Sequence, residues 1–192
     1  MTKNRVEAFS DGVIAIIITI MVLELRPPEE PTLTALAALA PVFVSYVLSF
    51  VYLGIYWNNH HHLFQAVQHV DGRVMWANMH LLFWLSLVPF ATTWMGESGF
   101  ATGTVVLYGF DLLMAAVAYT MLTMALLAIH DRDSALATAL GRDYKGKISL
   151  AFYLVAIALA RWAPAISGAL YFLVAVIWLV PDRRIERVLP TK

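Results

Sequence analysis

The chain has 192 residues, of which 60% are hydrophobic and only 14% are charged. Because a soluble domain is typically about half apolar and a quarter charged, this composition indicates that lipid is part of the protein's solvent. Thirteen basic residues balance thirteen acidic ones, and cysteine is absent. We therefore expect no nucleic-acid partner, and the chain has no disulfide, thiolate nucleophile or cysteine-based metal site.

Six apolar stretches meet or approach the about 20 helical residues that cross a bilayer. We expect them to be transmembrane helices of a single all-α domain over residues 1–192. In chain order they lie near 5–25, 34–59, 74–95, 103–129, 147–162 and 165–180. The Arg26-Pro27-Pro28 segment ends helix 1, and the polar stretch from Asn58 to Arg73 separates helix 2 from helix 3. Glu7 and Asp11 interrupt the start of helix 1, which favours a retained helix over a signal peptide.

The distribution of Lys and Arg predicts how these helices are oriented. With six spans both termini lie on one side of the membrane, and every basic residue except Arg26 and Arg161 lies on that side. Because basic residues near helix ends are retained in the cytoplasm, we expect a multi-pass protein of the cell membrane with both termini cytoplasmic. No internal repeat is visible, so symmetry in any assembly has to come from oligomerisation.

Helix 1 is apolar from Gly12 to Leu23 except for Thr19. At 100° per residue Gly12, Ile16, Thr19 and Leu23 lie on one narrow face. If several copies surrounded an axis, Ile16 and Leu23 would form hydrophobic constrictions and the Thr19 hydroxyls would replace part of a cation's hydration shell. On most membrane helices such a stripe serves packing or lipid contact instead, and a threonine hydroxyl commonly bonds to the preceding turn. Asp11 lies at the edge of the apolar core, and ionisable residues in spans usually face a bundle interior or water. It therefore favours a helix 1 that faces inward, with this acid at the cytoplasmic mouth of the pathway.

The opening of helix 1 reads Arg5-Val6-Glu7-Ala8-Phe9-Ser10-Asp11, followed by Gly12-Val13-Ile14-Ala15-Ile16 and then Thr19. This pattern resembles the Arg-x-x-x-Phe-Ser-Asp signature of bacterial members of the lysosomal transmembrane potassium channel family. The likeness extends to Tyr56-Trp57-Asn58-Asn59-His60-His61 in helix 2 and to Asn78, Trp84, Pro89-Phe90 and Thr92 in helix 3. The last three helices match in layout only.

The resemblance implies a potassium-preferring channel: a homotetramer of six-helix protomers in the lipid bilayer. Helix 1 would line a central pathway for monovalent cations, without a re-entrant filter loop. On this resemblance Ile16 is the hydrophobic constriction, Thr19 the layer linked to potassium preference, and Leu23 the next apolar ring. The resemblance also implies a second set of residues that tie helix 1 to its neighbours. Asp11 belongs to this set, so on the resemblance its role is structural and it does not concentrate cations at the cytoplasmic mouth of the pathway. The set comprises Arg5, Phe9, Ser10, Asp11, His60, His61, Asn78 and Trp84.

We expect no enzyme activity and no cofactor beyond permeant potassium, because the spans contain no nucleophile–base pair, metal-spaced cluster or phosphate loop. His60, His61 and His62 are consecutive, so on a helix their side chains diverge and do not converge on one metal ion. One or two of them are expected to hydrogen-bond near Ser10, Asp11 or Trp84. Histidine titrates near neutrality, which leaves pH modulation open.

Asp111 lies inside helix 4, and an ionisable residue within a span is a functional candidate by default. It supports an alternative function, a proton-coupled membrane transporter that uses Asp111 and the histidines. Such carriers usually show internal repeats and broken helices, and neither is visible here. We expect a packing role for Asp111 instead, with a Tyr hydroxyl or Trp indole as its hydrogen-bond donor.

Overall fold

The computed structural model describes residues 2–131, 134, 136–137 and 144–179. Every regular element in these residues is an α-helix, as predicted. We number the helices in chain order as α1 (Lys3–Leu23), α2 (Leu33–Ala38), α3 (Ala40–Gln65), α4 (Gly72–Glu97), α5 (Thr102–Ala128), α6 (Tyr144–Leu159) and α7 (Pro164–Leu179).

Four helices, α1, α3, α4 and α5, are long and apolar enough to cross a membrane. They confirm several membrane spans. Each of α6 and α7 has 16 residues, which at about 1.5 Å per residue is shorter than the roughly 30 Å of a hydrocarbon core. The predicted end of helix 6 at residue 180 lies outside the described residues. So do six of the basic residues on which the predicted orientation depends, namely Arg132, Arg142, Arg183, Arg184, Arg187 and Lys192.

The start of predicted helix 2 is wrong, because the chain forms two helices there. The Thr32 hydroxyl accepts a hydrogen bond of 3.2 Å from the Ala35 amide and caps α2. The next helix, α3, begins at Ala40 and carries Pro41 in its first turn. Proline lacks the amide hydrogen that a continuing helix requires and suits a first turn, so the helix ends and restarts here.

The end of predicted helix 2 is also wrong, because α3 continues through the polar residues to Gln65. Polar side chains bond along the helix one turn apart: the Asn59 amide donates to the Ile55 carbonyl at 2.9 Å. The true connection is shorter, and Asp71 ends it by accepting the Val74 amide at 2.9 Å as the cap of α4. The end of the apolar sequence shows where the chain leaves the hydrocarbon region of the bilayer. The helix α3 continues beyond that point.

The buried side chains form two cores that share α3, α4 and α5. The first, the α1 core, packs α1 against α3 and α4 and also contains residues of α5, with Ile14, Leu53, Leu81 and Leu122 fully buried in it. The second, the tyrosine core, joins α3, α5, α6 and α7 and also receives the later part of α4. Its buried aromatic residues are Tyr52, Tyr108, Tyr153 and Tyr171. The first helix therefore rests on one core only, and the other core is built without it.

Candidate functional site

The two faces of α1 have opposite surroundings. One face is buried in the protein and consists of Val6, Ser10, Ile14, Ile17 and Met21. The predicted stripe lies about 150° around the helix from this buried face, when the directions of the residues in each set are averaged. There Ile16 is 59% exposed and Leu23 is 75% exposed. A Cβ added at Gly12 would meet no atom of the described residues within 4 Å. The stripe thus lies on the face of α1 that the described part of the chain leaves open.

The Thr19 hydroxyl lies on this open face and donates to the Ile16 carbonyl at 2.9 Å. This is the local bond expected of a threonine in a membrane helix. A hydroxyl has one hydrogen to donate and two lone pairs to accept with. Because the hydrogen is engaged with the backbone, the oxygen presents its lone pairs to whatever lies in front of α1.

Behind the open face, a buried chain of hydrogen bonds fastens α1 to α3 and α4. The His60 Nε2 contacts the Asn78 Oδ1 at 2.8 Å, the Asn78 amide donates to the Ser10 hydroxyl at 2.9 Å, and that hydroxyl donates to the Val6 carbonyl at 2.8 Å. An amide oxygen only accepts, so the hydrogen of this His60 is on Nε2. All three polar side chains are at most 1% exposed. We call this chain the buried brace.

A second set of contacts, the rim brace, ties the start of α1 to α3. The Trp57 indole donates to the Asp11 carboxylate at 3.1 Å, and the His61 ring nitrogen lies 3.4 Å from Glu7. The rings of Trp57 and His61 stack with centroids 6.0 Å apart. Glu7 and Asp11 are four residues apart on α1, as are Trp57 and His61 on α3, so two adjacent faces meet. Asp11 therefore bonds a neighbouring helix, which fits bracing better than a charged mouth.

The remaining signature residues of α1 have different surroundings. Phe9 is half exposed and borders a shallow groove with Met75 and Met79 of α4. Arg5 is exposed, and its side chain has neither a hydrogen bond nor an ion pair with any residue that the structure describes. Within one chain the brace thus involves Ser10 and Asp11, with Phe9 beside α4 and Arg5 directed outward.

Trp84 does not join the histidines of α3. Its indole donates to the Nε2 of His80 at 2.9 Å, one turn earlier on α4. We expected one or two residues of the 60–62 cluster to hydrogen-bond near Ser10, Asp11 or Trp84. His60 does so near Ser10, through Asn78, whereas Trp84 has its own partner on α4. Contacts of Glu7 and Trp57 were not predicted from the sequence, although their matched four-residue spacings on two helices are a usable signal.

The histidines face different directions, as their consecutive positions require. His60 stacks on Phe64 at 4.4 Å inside the protein, while His61 pairs with Glu7 at the rim. Across the described ranges no group of three or more His, Cys, Asp or Glu side chains is placed to hold a metal ion.

Asp111 lies in neither brace. It is 4% exposed, and neither carboxylate oxygen has a hydrogen-bond partner among the described residues. The expected donation from a Tyr or Trp is therefore wrong. The nearby Tyr108 hydroxyl is paired instead with Ser49, at 2.9 Å. No histidine bonds Asp111 either, so the grouping of this acid with the histidines has no support in the contacts.

This fold and site define a class: a multi-pass helical membrane protein whose first helix is fastened on one face and open on the other. The profile of the family described as endosomal/lysosomal potassium channel TMEM175 matches residues 5–89. A potassium channel of Chryseobacterium sp. is 53% identical over 187 residues, which cover 97% of each chain. The chain belongs to the TMEM175 family of ion channels.

Two further comparisons agree with this assignment. The crystal structure of a lysosomal potassium-selective channel TMEM175 homolog from Chamaesiphon minutus superposes with a TM-score of 0.83 at 28% identity, covering 94% of this chain and 97% of that one. The mouse protein named endosomal/lysosomal proton channel TMEM175 is 33% identical over 103 residues, which are 47% of this chain and 21% of the mouse chain.

Proposed function

We propose that this chain is the protomer of a potassium-preferring cation channel whose central pathway is lined by α1. The observation that carries the proposal is the orientation of α1. Its buried face is fixed by two braces, and no residue that the structure describes covers its stripe of Ile16, Thr19 and Leu23. The name of the Chryseobacterium relative, which is similar over nearly the whole chain, supports potassium as the permeant ion.

The open stripe requires other copies of the chain, because one helix does not enclose a pathway. We propose a homotetramer around an axis in front of α1. Beside the stripe, a groove between α1 and α4 is open at the surface, and it offers an apolar seat for an adjacent copy. The groove borders the stripe at Ile16, and its other apolar lining residues include Val13, Ile17, Ile20, Pro89, Phe90 and Trp94. The mass of the detergent-solubilised complex tests this: four chains of 21.4 kDa are expected, and a monomer contradicts it.

In the membrane we propose six spans, with α6 and α7 as the fifth and sixth, and both termini on the cytoplasmic side of the cell membrane. The support is the charge distribution, in which Arg26 and Arg161 alone lie on the opposite side. The short helices α6 and α7 would be accommodated by local thinning of the bilayer or by flanking residues that reach the interface.

Along the pathway the three stripe residues would form three layers. At about 1.5 Å per residue, Thr19 lies about 4.5 Å beyond Ile16 along the axis, and Leu23 about 6 Å further. Rings of Ile16 and Leu23 would form narrow hydrophobic constrictions, and the Thr19 oxygens between them would replace part of the hydration shell of the ion. No cofactor is proposed beyond the permeant ion, and nothing in this mechanism involves a chemical reaction.

Flux through reconstituted liposomes tests this function. With an outward potassium gradient, a channel passes potassium passively, and sodium in its place gives a smaller flux. The rival carrier would instead show saturable flux that depends on a proton gradient. Potassium flux that requires a proton gradient and is abolished by Asp111→Asn would overturn the proposal.

A further inference from the structure

The groove between α1 and α4 has an acidic end. Its lining is apolar along most of its length, but it also includes Glu24 and Glu97. Glu24 follows the last residue of α1, and Glu97 is the last residue of α4. The two helices run in the same direction, since Ser10 meets Asn78 near their starts. Both acids therefore lie at one end of the groove.

This acidic end favours a basic partner. Both glutamates are exposed, and neither forms an ion pair with a described residue. The C-terminal end of a helix carries a partial negative charge, so an acid there is disfavoured and a cation is favoured. Two helices end here side by side, and each brings an acid. A basic group of a neighbouring molecule would thus be stabilised at this end of the groove.

The chain carries a basic residue at the same level. Arg26 lies two positions after Glu24, where the chain leaves α1 for α2 and α3. It is exposed and forms no ion pair within the part of the chain that the structure describes, although Glu29 and Glu30 follow closely. Among the described residues, each copy therefore presents two unpaired acids and one unpaired base beside one another.

The two sides of α1 indicate how such copies fit together. The α1 residues that line the groove lie roughly 90° to one side of the stripe, when their directions are averaged. About 70° to the other side lie Ala8, Ala15 and Val22, all of them exposed, which we call the small-residue side. Small side chains allow a neighbouring helix to approach closely. When copies surround an axis in front of the stripe, the groove of one copy faces the small-residue side of the next.

We propose that the small-residue side of one copy docks in the α1–α4 groove of the adjacent copy, with Arg26 of the first copy placed between Glu24 and Glu97 of the second. This docking rests on the tetramer proposed above and names the surfaces that meet in it. The contact joins two different surfaces, so it repeats around a closed ring. Apolar packing supplies the contact along the groove, and the ion pairs at its end set the register of the two copies.

A second copy fits this groove better than a lipid does. An acyl chain would match the apolar lining, but the phosphate of its headgroup would meet two carboxylates at the acidic end. Like charges at short range repel, and this lipid would leave both acids without a basic partner. The adjacent copy satisfies the apolar lining and the acidic end together.

Cross-linking between differently tagged copies tests this docking. The native chain has no cysteine, so one tagged copy carries Arg26→Cys and a copy with another tag carries Glu97→Cys. After co-expression and mild oxidation we expect a disulfide-linked product of two chains that contains both tags. Because each chain has one thiol, this product cannot arise within a chain. In the control, Arg161→Cys, at an exposed position between α6 and α7, replaces Arg26→Cys and should give no such product.

The outcomes separate the docking from the proposed channel. A complex with the mass of four chains but without the mixed-tag product overturns the docking and leaves the channel proposal intact. Equal product in the control also overturns the docking. A monomer in the mass measurement overturns the tetramer, and the docking with it.

Charge reversal tests the ion pairs. In Arg26→Glu three acids would meet, so we expect several-fold more dissociation of the solubilised complex on dilution at low salt. The difference should shrink at high salt, because ions screen exposed charges. Adding Glu97→Arg to the same chain should recover part of the loss, and the control Arg161→Glu should assemble like the native chain. Unchanged dissociation in Arg26→Glu overturns the ion pairs. So does an altered potassium flux at unchanged assembly, which would assign the acids to the permeant ion.

Discussion

The Thr19 hydroxyl donates its hydrogen to the Ile16 carbonyl, so its oxygen keeps lone pairs free on the open face of α1. Thr19→Val keeps the side-chain shape and removes the oxygen. We expect the potassium-to-sodium permeability ratio of liposome flux to fall while both ions still pass, because the apolar rings at Ile16 and Leu23 remain. Thr34→Val changes an exposed threonine on α2 and serves as the control. An unaltered ratio in Thr19→Val would remove this oxygen from the proposed selectivity layer.

Ser10 holds the centre of the buried brace, since it accepts from Asn78 and donates to the Val6 carbonyl. Ser10→Ala leaves the Asn78 amide buried without an acceptor. We expect the free energy of unfolding to fall by about 1–3 kcal/mol, measured as denaturant unfolding of the detergent-solubilised protein. Ser86→Ala removes an exposed hydroxyl that bonds only within α4 and should change stability by less than about 0.5 kcal/mol. Equal effects in both variants would mean that the buried brace contributes little.

The open face of α1 could be predicted from the sequence, whereas the braces behind it could not. A rotation of 100° per residue is enough to place Ile16, Thr19 and Leu23 on one face of a helix. The contact between Ser10 and Asn78 joins residues 68 positions apart, and the contact between Asn78 and His60 joins residues 18 positions apart. No local pattern determines which of several polar residues in the neighbouring helices will meet.

Hydropathy predicted the extents of the helices only in part. The polar end of α3 continues as helix through His60 and His61, where falling hydropathy predicted a loop. The break between α2 and α3 was missed for the opposite reason, since the residues around Pro41 are apolar. Hydropathy reports the surroundings of a segment, and backbone chemistry such as caps and prolines determines where a helix begins and ends.

Close packing of α5 against α7 depends on Gly109. A Cβ at this position would collide with the Tyr171 hydroxyl, and a contact with Ile157 would be tight as well. Gly109→Ala should therefore displace Tyr171 from the Val105 carbonyl and destabilise the fold by about 1–3 kcal/mol, as overpacking does.

The matched control for this helix contact is Gly103→Ala, also on α5. A Cβ there meets no atom within 4 Å, so the substitution should not destabilise the protein. Both variants are compared by denaturant unfolding in the same detergent. If Gly109→Ala is as stable as Gly103→Ala, the packing of α5 against α7 does not depend on a glycine at position 109.

At the scale of the whole molecule, the class of protein followed from composition and the family from a short segment of helix 1. The arrangement of two cores did not, because it depends on which helices pack together across the chain. Asp111 shows the difference. Its position within a span was readable, but only the packed structure shows that the Tyr108 hydroxyl pairs with Ser49 and that no described residue hydrogen-bonds the Asp111 carboxyl.

The central claim is that the stripe on α1 faces an aqueous ion pathway. The native chain contains no cysteine, so a thiol reagent reacts with the introduced cysteine and with no native one. A thiol reacts as the thiolate, which requires water and is suppressed in lipid. Ile16→Cys places the thiol in the proposed pathway, and Leu154→Cys places it on the exposed surface of α6. With a water-soluble methanethiosulfonate reagent, potassium flux through Ile16→Cys should be blocked and flux through Leu154→Cys should persist. Undiminished flux through Ile16→Cys, or equal block of both variants, would contradict the account.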